Sequence, residues 1–205
     1  MLRARRRTGG ARAQSSSGNV ARVADEICLV NGLPGVGKTN VAALLAAAVG
    51  AHLVSKDAIK ERLAMEPALG VSPRLGILAA EQMWADAAAK RGLVLVDCWL
   101  FKPRDLHFAA SGLQRSGAVR AVELWCHAPV DTVRARYQQR RRSTVHADPQ
   151  RLAADWETWA SHAEPLALTP VIRIDTSTTV RVAQVVSHVL AALPTSSMVC
   201  PALTV

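Results

Sequence analysis

The segment GLPGVGKT, residues 32–39, constrains the fold more than any other part of this chain. It matches the pattern G-x-x-x-x-G-K-[ST] at every fixed position, and it follows a short apolar run at 26–32. After it, Val41, Leu45 and Ala48 recur at helical spacing. We therefore predict a strand that leads through a phosphate-binding loop into a helix, in preference to an ordinary glycine-rich turn.

The residue types in this loop are those that bind a nucleoside triphosphate. Glycines allow the backbone to wrap a phosphate group, and the N-terminal end of the following helix adds positive partial charge. Lys38 is expected to reach the β- and γ-phosphates, and the hydroxyl of Thr39 to ligate Mg²⁺. The predicted nucleotide-binding residues of the loop are Gly32, Leu33, Pro34, Gly35, Val36, Gly37, Lys38, Thr39 and Asn40.

Strand-like and helix-like segments alternate along the chain, which predicts an α/β fold. A strand followed by a helix, repeated five times, implies a parallel sheet covered on both faces, a three-layer α/β/α sandwich. Ligands of such sheets bind at the carboxyl ends of the strands. The predicted strands are 26–32, 51–55, 92–97, 119–126 and 171–175, with helices starting near 57, 72, 103, 130, 148 and 182.

One predicted helix carries both a start signal and an aromatic stripe. Asp148 is placed as its N-cap, with Pro149 in the first turn. Trp156 and Trp159 share a face of this helix and are interpreted as core packing, not as a platform that stacks on bases.

The net charge of +9 is concentrated at the N-terminus. Residues 1–24 contain six arginines and no acid, so residues 25–205 carry only +3. We predict a disordered basic tail at 1–24, one folded domain at 25–193 and a loose tail at 194–205. A nucleic-acid-binding arm or a transit peptide are the alternatives for the basic tail.

Cysteine usage and hydropathy indicate a cytoplasmic protein. Cys28, Cys98, Cys126 and Cys200 are widely spaced and form no C-x-x-C pair, so reduced thiols are expected in place of a disulfide framework or zinc site. No apolar run approaches the roughly 18–20 residues that a membrane-spanning helix needs.

The motifs that are missing narrow the class of nucleotide-binding protein. No N-K-x-D segment, which reads guanine in common GTPases, is present. A motor ATPase would usually show an acidic pair after its third strand, whereas this chain has the single acid Asp97. These absences favour transfer of a phosphoryl group to a bound acceptor.

Two acids that follow predicted strands are candidates for that chemistry. Asp57 lies just beyond the second strand, where a carboxylate can orient or deprotonate an attacking hydroxyl; it could equally cap the helix that begins at Ala58. Asp97 could hold Mg²⁺ or bind the acceptor, or simply end its strand in a turn.

Arginines after the fourth strand could clamp the transferring phosphoryl group. Arg136 and Arg140 are four residues apart and are predicted to share one face of a helix. The alternative is a solvated basic helix, which we prefer for Arg134, Arg141 and Arg142.

Together these residues resemble the P-loop kinase family that includes polynucleotide 5′-kinase, zeta toxin and chloramphenicol phosphotransferase. The resemblance covers residues 26–193 and rests on the segments NGLPGVGKT, SKDAIKERL, LVLVDCW, LWCHAPVDTVRARYQQR and VIRIDTS. It implies a P-loop NTPase fold like that of nucleoside monophosphate kinases, with an arginine-bearing lid.

The resemblance also implies roles for individual residues. Asp57 corresponds to the catalytic base, Lys60 to a substrate contact, and Asp97 to the acid after the third strand. Arg136 and Arg140 correspond to phosphate contacts, of which Arg140 is expected to be catalytic together with Lys38 and Asp57.

The leading hypothesis is a kinase that uses ATP and Mg²⁺ to phosphorylate a hydroxyl group of a small molecule such as an antibiotic, nucleoside or sugar. A second hypothesis, suggested by the basic tail, is a 5′-hydroxyl kinase of nucleic acid, whose binding would depend steeply on salt. The third is a regulatory or toxin-like ATPase that gates a partner protein. No membrane partner is expected.

Overall fold

A computed structural model describes residues 24–69, 72 and 74–193 of the chain. Its five strands form one parallel sheet in the order β2-β3-β1-β4-β5. The predicted five-stranded parallel sheet is therefore confirmed, and the two predicted tails lie outside the described residues, apart from Ala24. The strands are β1 (Glu26–Asn31), β2 (His52–Ser55), β3 (Leu93–Asp97), β4 (Arg120–His127) and β5 (Val171–Asp175).

The strands are connected by helices, as parallel pairing requires. Between β4 and β5 the connection holds two α-helices with a short 3₁₀ helix, Thr144–His146, between them. The α-helices are α1 (Lys38–Val49), α2 (Lys56–Ala64), α3 (Leu75–Ala88), α4 (Lys102–Ser116), α5 (Val130–Gln139), α6 (Asp148–His162) and α7 (Val182–Ala192).

The core lies on both faces of the sheet, which gives the three layers. Successive residues of a strand point to opposite faces. Cys28 and Val30 of β1 accordingly belong to a cluster with α1 and α7, while Ile27 and Leu29 pack with Trp84 of α3 on the other face. Because β1 is buried on both sides, its sequence is an apolar run and does not alternate.

Four features of the predicted helices differ in the structure. α2 begins at Lys56, so Asp57 lies inside its first turn and does not cap it. α5 ends at Gln139, so Arg140 lies beyond the helix that was predicted to carry it. α6 begins at Asp148, and its N-cap is Ala147, which has a left-handed φ of 51°, so the predicted N-cap role of Asp148 is wrong. α3 begins at Leu75, after the predicted start near residue 72.

The prediction that Trp156 and Trp159 pack in the core is confirmed, because both side chains are buried in the cluster on the α1 face. Within the described part of the chain, no helix has the length and apolarity to span a bilayer.

A buried polar contact fixes the point at which β1 enters the loop. Glu123 of β4 is fully buried, and its Oε1 accepts a hydrogen bond of 2.9 Å from the amide of Asn31. The Asn31 Oδ1 in turn accepts from the backbone N–H of Gly32, at 2.8 Å, and of Leu100, at 3.0 Å. A buried carboxylate is stable only when its oxygens are hydrogen-bonded. This network therefore ties the start of the loop to the segment after β3.

Candidate active site

The loop between β1 and α1 is held open by two glycines that no other residue could replace without strain. Gly32 has φ 141°, and a Cβ there would lie 2.3 Å from the carbonyl oxygen of Cys126. Gly35 has φ 91°, and its Cβ would lie 2.8 Å from the carbonyl oxygen of Val133. The loop therefore has its wrapped conformation because β4 and α5 approach its backbone directly.

Thr176, in the turn after β5, holds the far side of this loop. Its hydroxyl donates to the carbonyl oxygen of Val36 at 2.7 Å, and it also lies 3.0 Å from the carbonyl oxygen of His127. The residues that follow Thr176 in this turn, Thr178, Thr179 and Val180, line the same cleft as the loop.

Lys38 begins α1 and is almost fully buried. Its Nζ donates to the carbonyl oxygen of Leu33 at 3.1 Å. Burial lowers the pKa of the ammonium from its ordinary value, although the carboxylates of Asp97 and Asp57 raise it. A buried ammonium with a single neutral acceptor has spare donors, which an anionic phosphate would satisfy.

Thr39 and Asp97 form the contact that a Mg²⁺ site needs. The Thr39 hydroxyl donates to Oδ2 of Asp97 at 2.8 Å, and the hydroxyl of Ser55 donates to the same oxygen at 3.2 Å. Burial raises the pKa of Asp97 above its ordinary value, although the charge of Lys38 and these hydrogen bonds act in the opposite direction. Oxygen ligands from a hydroxyl and a carboxylate suit Mg²⁺, which keeps several of its waters. The residues present therefore fit this ion.

Asp57 lies on the first turn of α2 with its side chain 54% exposed, and it lines the same cleft. Its Oδ2 accepts a hydrogen bond from Arg142, and its Oδ1 lies 3.7 Å from Nδ1 of His146. Burial raises the pKa of this carboxyl, but the charges of Arg142, His146 and Lys38 outweigh burial, and the net shift is downward. Asp57 is thus an ionised carboxylate in the structure.

The predicted phosphate contact Arg140 is bound to an acid. It donates from Nε and Nη2 to the two oxygens of Asp148, at 2.9 and 3.0 Å, and its guanidinium stacks 4.0 Å from the ring centre of Tyr137. Asp148 also accepts from Arg142 at 2.7 and 2.8 Å. The side chain predicted to cap α6 is therefore the anion that gathers two arginines.

Our interpretation of Arg142 as part of a solvated basic helix is wrong. Arg142 lies after the end of α5, and its guanidinium bridges Asp57 and Asp148. Arg136 does lie in α5, where its Nη1 donates to the carbonyl oxygen of Thr176 at 3.0 Å. Arg136 and Arg140 consequently do not share a helix face, although both line the cleft.

Lys60 lies one turn after Asp57 on α2 and also lines the cleft. Its Nζ donates to the carbonyl oxygen of Val145 at 2.8 Å. Burial and the nearby cation of Arg151 lower its pKa from the ordinary value, against the charge of Asp57. Asn40, in the first turn of α1, is exposed at the rim of the cleft.

All the predicted site residues that carry side-chain chemistry therefore border one cleft at the carboxyl edge of the sheet. The cleft has a volume of about 1320 Å³, more than the roughly 300–1,000 Å³ of a typical pocket for one small ligand. The loop and the 178–180 turn form one part of its wall. Asp57, Lys60 and the arginines after α5 form another.

Sequence reasoning missed His146 of this cleft and several residues of the hydrogen-bond networks around it. Ser55 immediately precedes the α2 segment and could have been noticed as a strand-end hydroxyl. Glu123 is a single acid within an apolar strand, which is a signal for a buried polar network. For Glu61 and His146 the sequence offers no comparable signal, because their partners depend on the tertiary fold.

Comparisons with known proteins give a family match and several structures of the same fold. The family model described as AAA domain matches residues 27–166. None of the curated proteins compared with the chain matches it.

Solved structures with the same fold include several kinases. A protein from Chloroflexus aurantiacus, provisionally described as a kinase, is 22% identical with a TM-score of 0.66; the match covers 82% of this chain and 98% of that one. A sugar kinase from Janibacter sp. HTCC2649 is 16% identical with a TM-score of 0.51, over 82% and 92% of the two chains. A gluconokinase from Sinorhizobium meliloti 1021 is 19% identical with a TM-score of 0.51, over 82% and 91%.

Proposed function

Since the chain belongs to the AAA domain family and has the fold of P-loop kinases, we propose that it transfers the γ-phosphate of ATP, with Mg²⁺, to a hydroxyl group of a small molecule. A loop that binds the triphosphate does not by itself distinguish a kinase from a switch or a motor. The distinction depends on what faces the γ-phosphate across the cleft.

The hydrogen bond between Thr39 and Asp97 carries the proposal, together with a second carboxylate, Asp57, in the same cleft. Asp97 accepts from Thr39, the neighbour of Lys38, and the charges of Asp97 and Asp57 both raise the pKa of the Lys38 ammonium that would hold the β- and γ-phosphates. Of the two, Asp97 is paired with the predicted metal ligand, while Asp57 lies on α2 and borders the cleft. That division suits one acid for the metal and one for the acceptor.

In the proposed mechanism each residue has a separate role. Mg²⁺, when bound by Thr39 and Asp97, would neutralise charge on the phosphates. Lys38 would bind the β- and γ-phosphates, and Asp57 would orient the acceptor hydroxyl and take its proton. Arg136 and Arg140 would stabilise the negative charge of the transferring group, once phosphate oxygens replace the acceptors they have now.

Two observations favour a small acceptor. The cleft is large enough for a nucleotide and a second small molecule together. Among proteins of similar fold, one is described as a sugar kinase and another as a gluconokinase. Both are below 20% identity, so they show the fold alone, and the acceptor class is part of the proposal.

The test is a screen for phosphorylated products, read by mass spectrometry, with ATP and Mg²⁺. The acceptors are a panel of sugars, sugar acids, nucleosides and hydroxyl-bearing antibiotics, with a 5′-hydroxyl oligonucleotide as a separate arm. Asp57→Asn is run in parallel and should lose transfer while it still binds MgATP. Product from the oligonucleotide alone would replace the small acceptor with a nucleic acid, and hydrolysis without any product would overturn the proposal.

A further inference from the structure

His146 is a buried histidine placed between two carboxylates of α2. It belongs to the 3₁₀ helix between α5 and α6, and its side chain is only 3% exposed. Its Nε2 lies 2.8 Å from Oε1 of Glu61, and its Nδ1 lies 3.7 Å from Oδ1 of Asp57. The ring therefore connects the proposed base to a second acid whose side chain is 44% exposed.

The charges around the ring determine its protonation state. From α2, Asp57, Lys60 and Glu61 face it, and Arg142 faces it from the chain just before the 3₁₀ helix. Burial lowers the pKa of His146 from its ordinary value, and Arg142 and Lys60 add to this, while Asp57 and Glu61 act in the opposite direction. The net direction is downward, so the imidazole is neutral at pH 7 and carries one ring proton.

The two distances indicate which nitrogen carries that proton. A contact of 2.8 Å to the carboxylate of Glu61 requires a donor, so Nε2 is protonated. Nδ1 is then unprotonated and presents a lone pair to Asp57. A lone pair and an ionised carboxylate are both acceptors, which accounts for a separation of 3.7 Å, too long for a hydrogen bond. The pair would hydrogen-bond when one proton lies between them, either on Asp57 or on Nδ1.

We propose that His146 acts through Asp57, as the group that receives the proton which Asp57 takes from the acceptor hydroxyl. This inference rests on the proposed function. In the transfer, the acceptor O–H bond breaks as its oxygen bonds to phosphorus, and an O–H bond forms on Asp57. That bond then breaks as an N–H bond forms at Nδ1, which leaves an ionised Asp57 and an imidazolium held by Glu61.

The arrangement explains why a relay is useful although Asp57 is half exposed. Arg142 occupies Oδ2 of Asp57, and a bound acceptor would cover the face of Asp57 that borders the cleft. Oδ1, on the His146 side, is then the remaining route for the proton. Catalytic hydrogen bonds are often long in unliganded enzymes and shorten when substrate binds. After the product leaves, Nδ1 can return its proton through Asp57, which is half exposed, to solvent, and the ring is again protonated at Nε2 alone.

The ring state can be tested without any acceptor. Nitrogen-15 NMR of the full chain at pH 7, with His146 assigned by its loss in His146→Gln, should show Nε2 protonated and Nδ1 unprotonated. An Nδ1-protonated ring or an imidazolium at pH 7 would overturn the relay, even if the protein is a kinase. If His146→Gln does not fold, Glu61→Gln serves for assignment, because it removes the acceptor at Nε2 and shifts that signal.

The kinetic test uses the acceptor identified in the product screen. His146→Gln places an amide where Nε2 lies and so retains a donor to Glu61, but it has no atom that can take a proton at the Nδ1 position. We expect kcat to fall at least about tenfold with little change in KM, a smaller loss than removal of the base itself. His188→Gln, an exposed histidine of α7, is the matched control.

The pH profile separates a relay from a structural role. A relay requires a neutral ring, so wild-type kcat should fall as the pH drops through the lowered pKa of His146. His146→Gln lacks that step, and the ratio of wild-type to variant kcat should shrink in acid. A constant ratio across pH, with transfer itself intact, would refute the relay and leave the kinase proposal standing. Absence of any transfer in the wild type would instead refute the proposed function, while the NMR result would still decide the ring state.

Discussion

Arg142 and Asp57 form an ion pair across the cleft, although they are 85 positions apart in the chain. The same guanidinium makes two further hydrogen bonds to Asp148, so it can release Asp57 and keep an anionic partner. The proposed base is therefore held by a cation in the unliganded protein. While Arg142 holds Oδ2, Oδ1 is the oxygen of Asp57 that remains to take a proton from an acceptor hydroxyl.

Replacing Arg142 by Gln should shift the acid limb of phosphotransfer to higher pH. The charge of Arg142 lowers the pKa of Asp57, so removal of Arg142 should raise that pKa. On acidification, Asp57 would then become protonated, and inactive as a base, at a higher pH than in the wild type. The measurement is kcat/KM across pH for wild type and variant.

Arg141→Gln is the control for this shift, because Arg141 is an exposed neighbour in the same cleft wall. It should leave the acid limb where it is in the wild type. An unshifted limb in Arg142→Gln would show that the ion pair does not set the charge state of Asp57 during turnover.

Replacing Lys38 by Ala should remove transfer without weakening the fold. The ammonium is buried beside one neutral carbonyl, and burial lowers its pKa, so its charge does not favour the folded state. Loss of a preorganised cation at the transferring group reduces kcat by roughly 100-fold or more. The rate of phosphotransfer and the thermal unfolding temperature measure the two effects, with Lys90→Ala, an exposed lysine, as control. A lower unfolding temperature in Lys38→Ala would contradict the structural part.

Replacing Gly35 by Ala should destabilise the protein more than the same change at Gly50. Both residues have positive φ, 91° and 65°, which costs an alanine about 1–2 kcal/mol. A Cβ at Gly35 would also lie 2.8 Å from the carbonyl oxygen of Val133 and 2.9 Å from Cβ of Tyr137, whereas the space at Gly50 is open. Overlap of this kind adds about 1–3 kcal/mol. Urea unfolding of the two variants gives the difference, and equal losses would mean that the loop moves away from α5 without cost.

The parts of this molecule that local sequence controls could be predicted, and those that tertiary contacts control could not. The loop, the five strands and Pro103 in the first turn of α4 follow from short patterns in the chain. Arg140 illustrates the other case. Nothing in RARYQQRRR predicts a helix end at Gln139. Beyond that point Arg140 and Arg142 form ion pairs with Asp148, a tertiary contact that the local sequence does not show.

The candidate site divides in the same way. Asp97 ends β3, Asp57 follows β2, and Lys38 and Thr39 come directly after the loop that follows β1. Parallel strands bring their carboxyl ends to one edge of the sheet, so a common cleft for these residues could be expected. His146 could not be placed, because its partners lie on α2, 85 positions earlier. Asp148 does lie at the start of α6, as the sequence predicts. Its predicted role is wrong, because its carboxylate binds arginines and does not cap the helix.

Asp148 should make the stability of the protein depend on pH. Its side chain is mostly buried and accepts from Arg140 and Arg142, which together hold its pKa well below the ordinary value of 3.8 despite the opposing effect of burial. A carboxyl whose folded-state pKa is depressed stabilises the protein fully above its unfolded pKa, and this stabilisation is lost as the pH falls through the folded value.

Asp148→Asn should therefore lower the free energy of unfolding by about 2 kcal/mol at pH 7, and by progressively less below pH 3.8. Urea unfolding at a series of pH values measures this, with Asp155→Asn, from an exposed pair with Arg151, as a control that changes stability by about 0.5 kcal/mol or less. A difference that stays constant from pH 7 to pH 3 would mean that the arginines contribute nothing through the charge of Asp148.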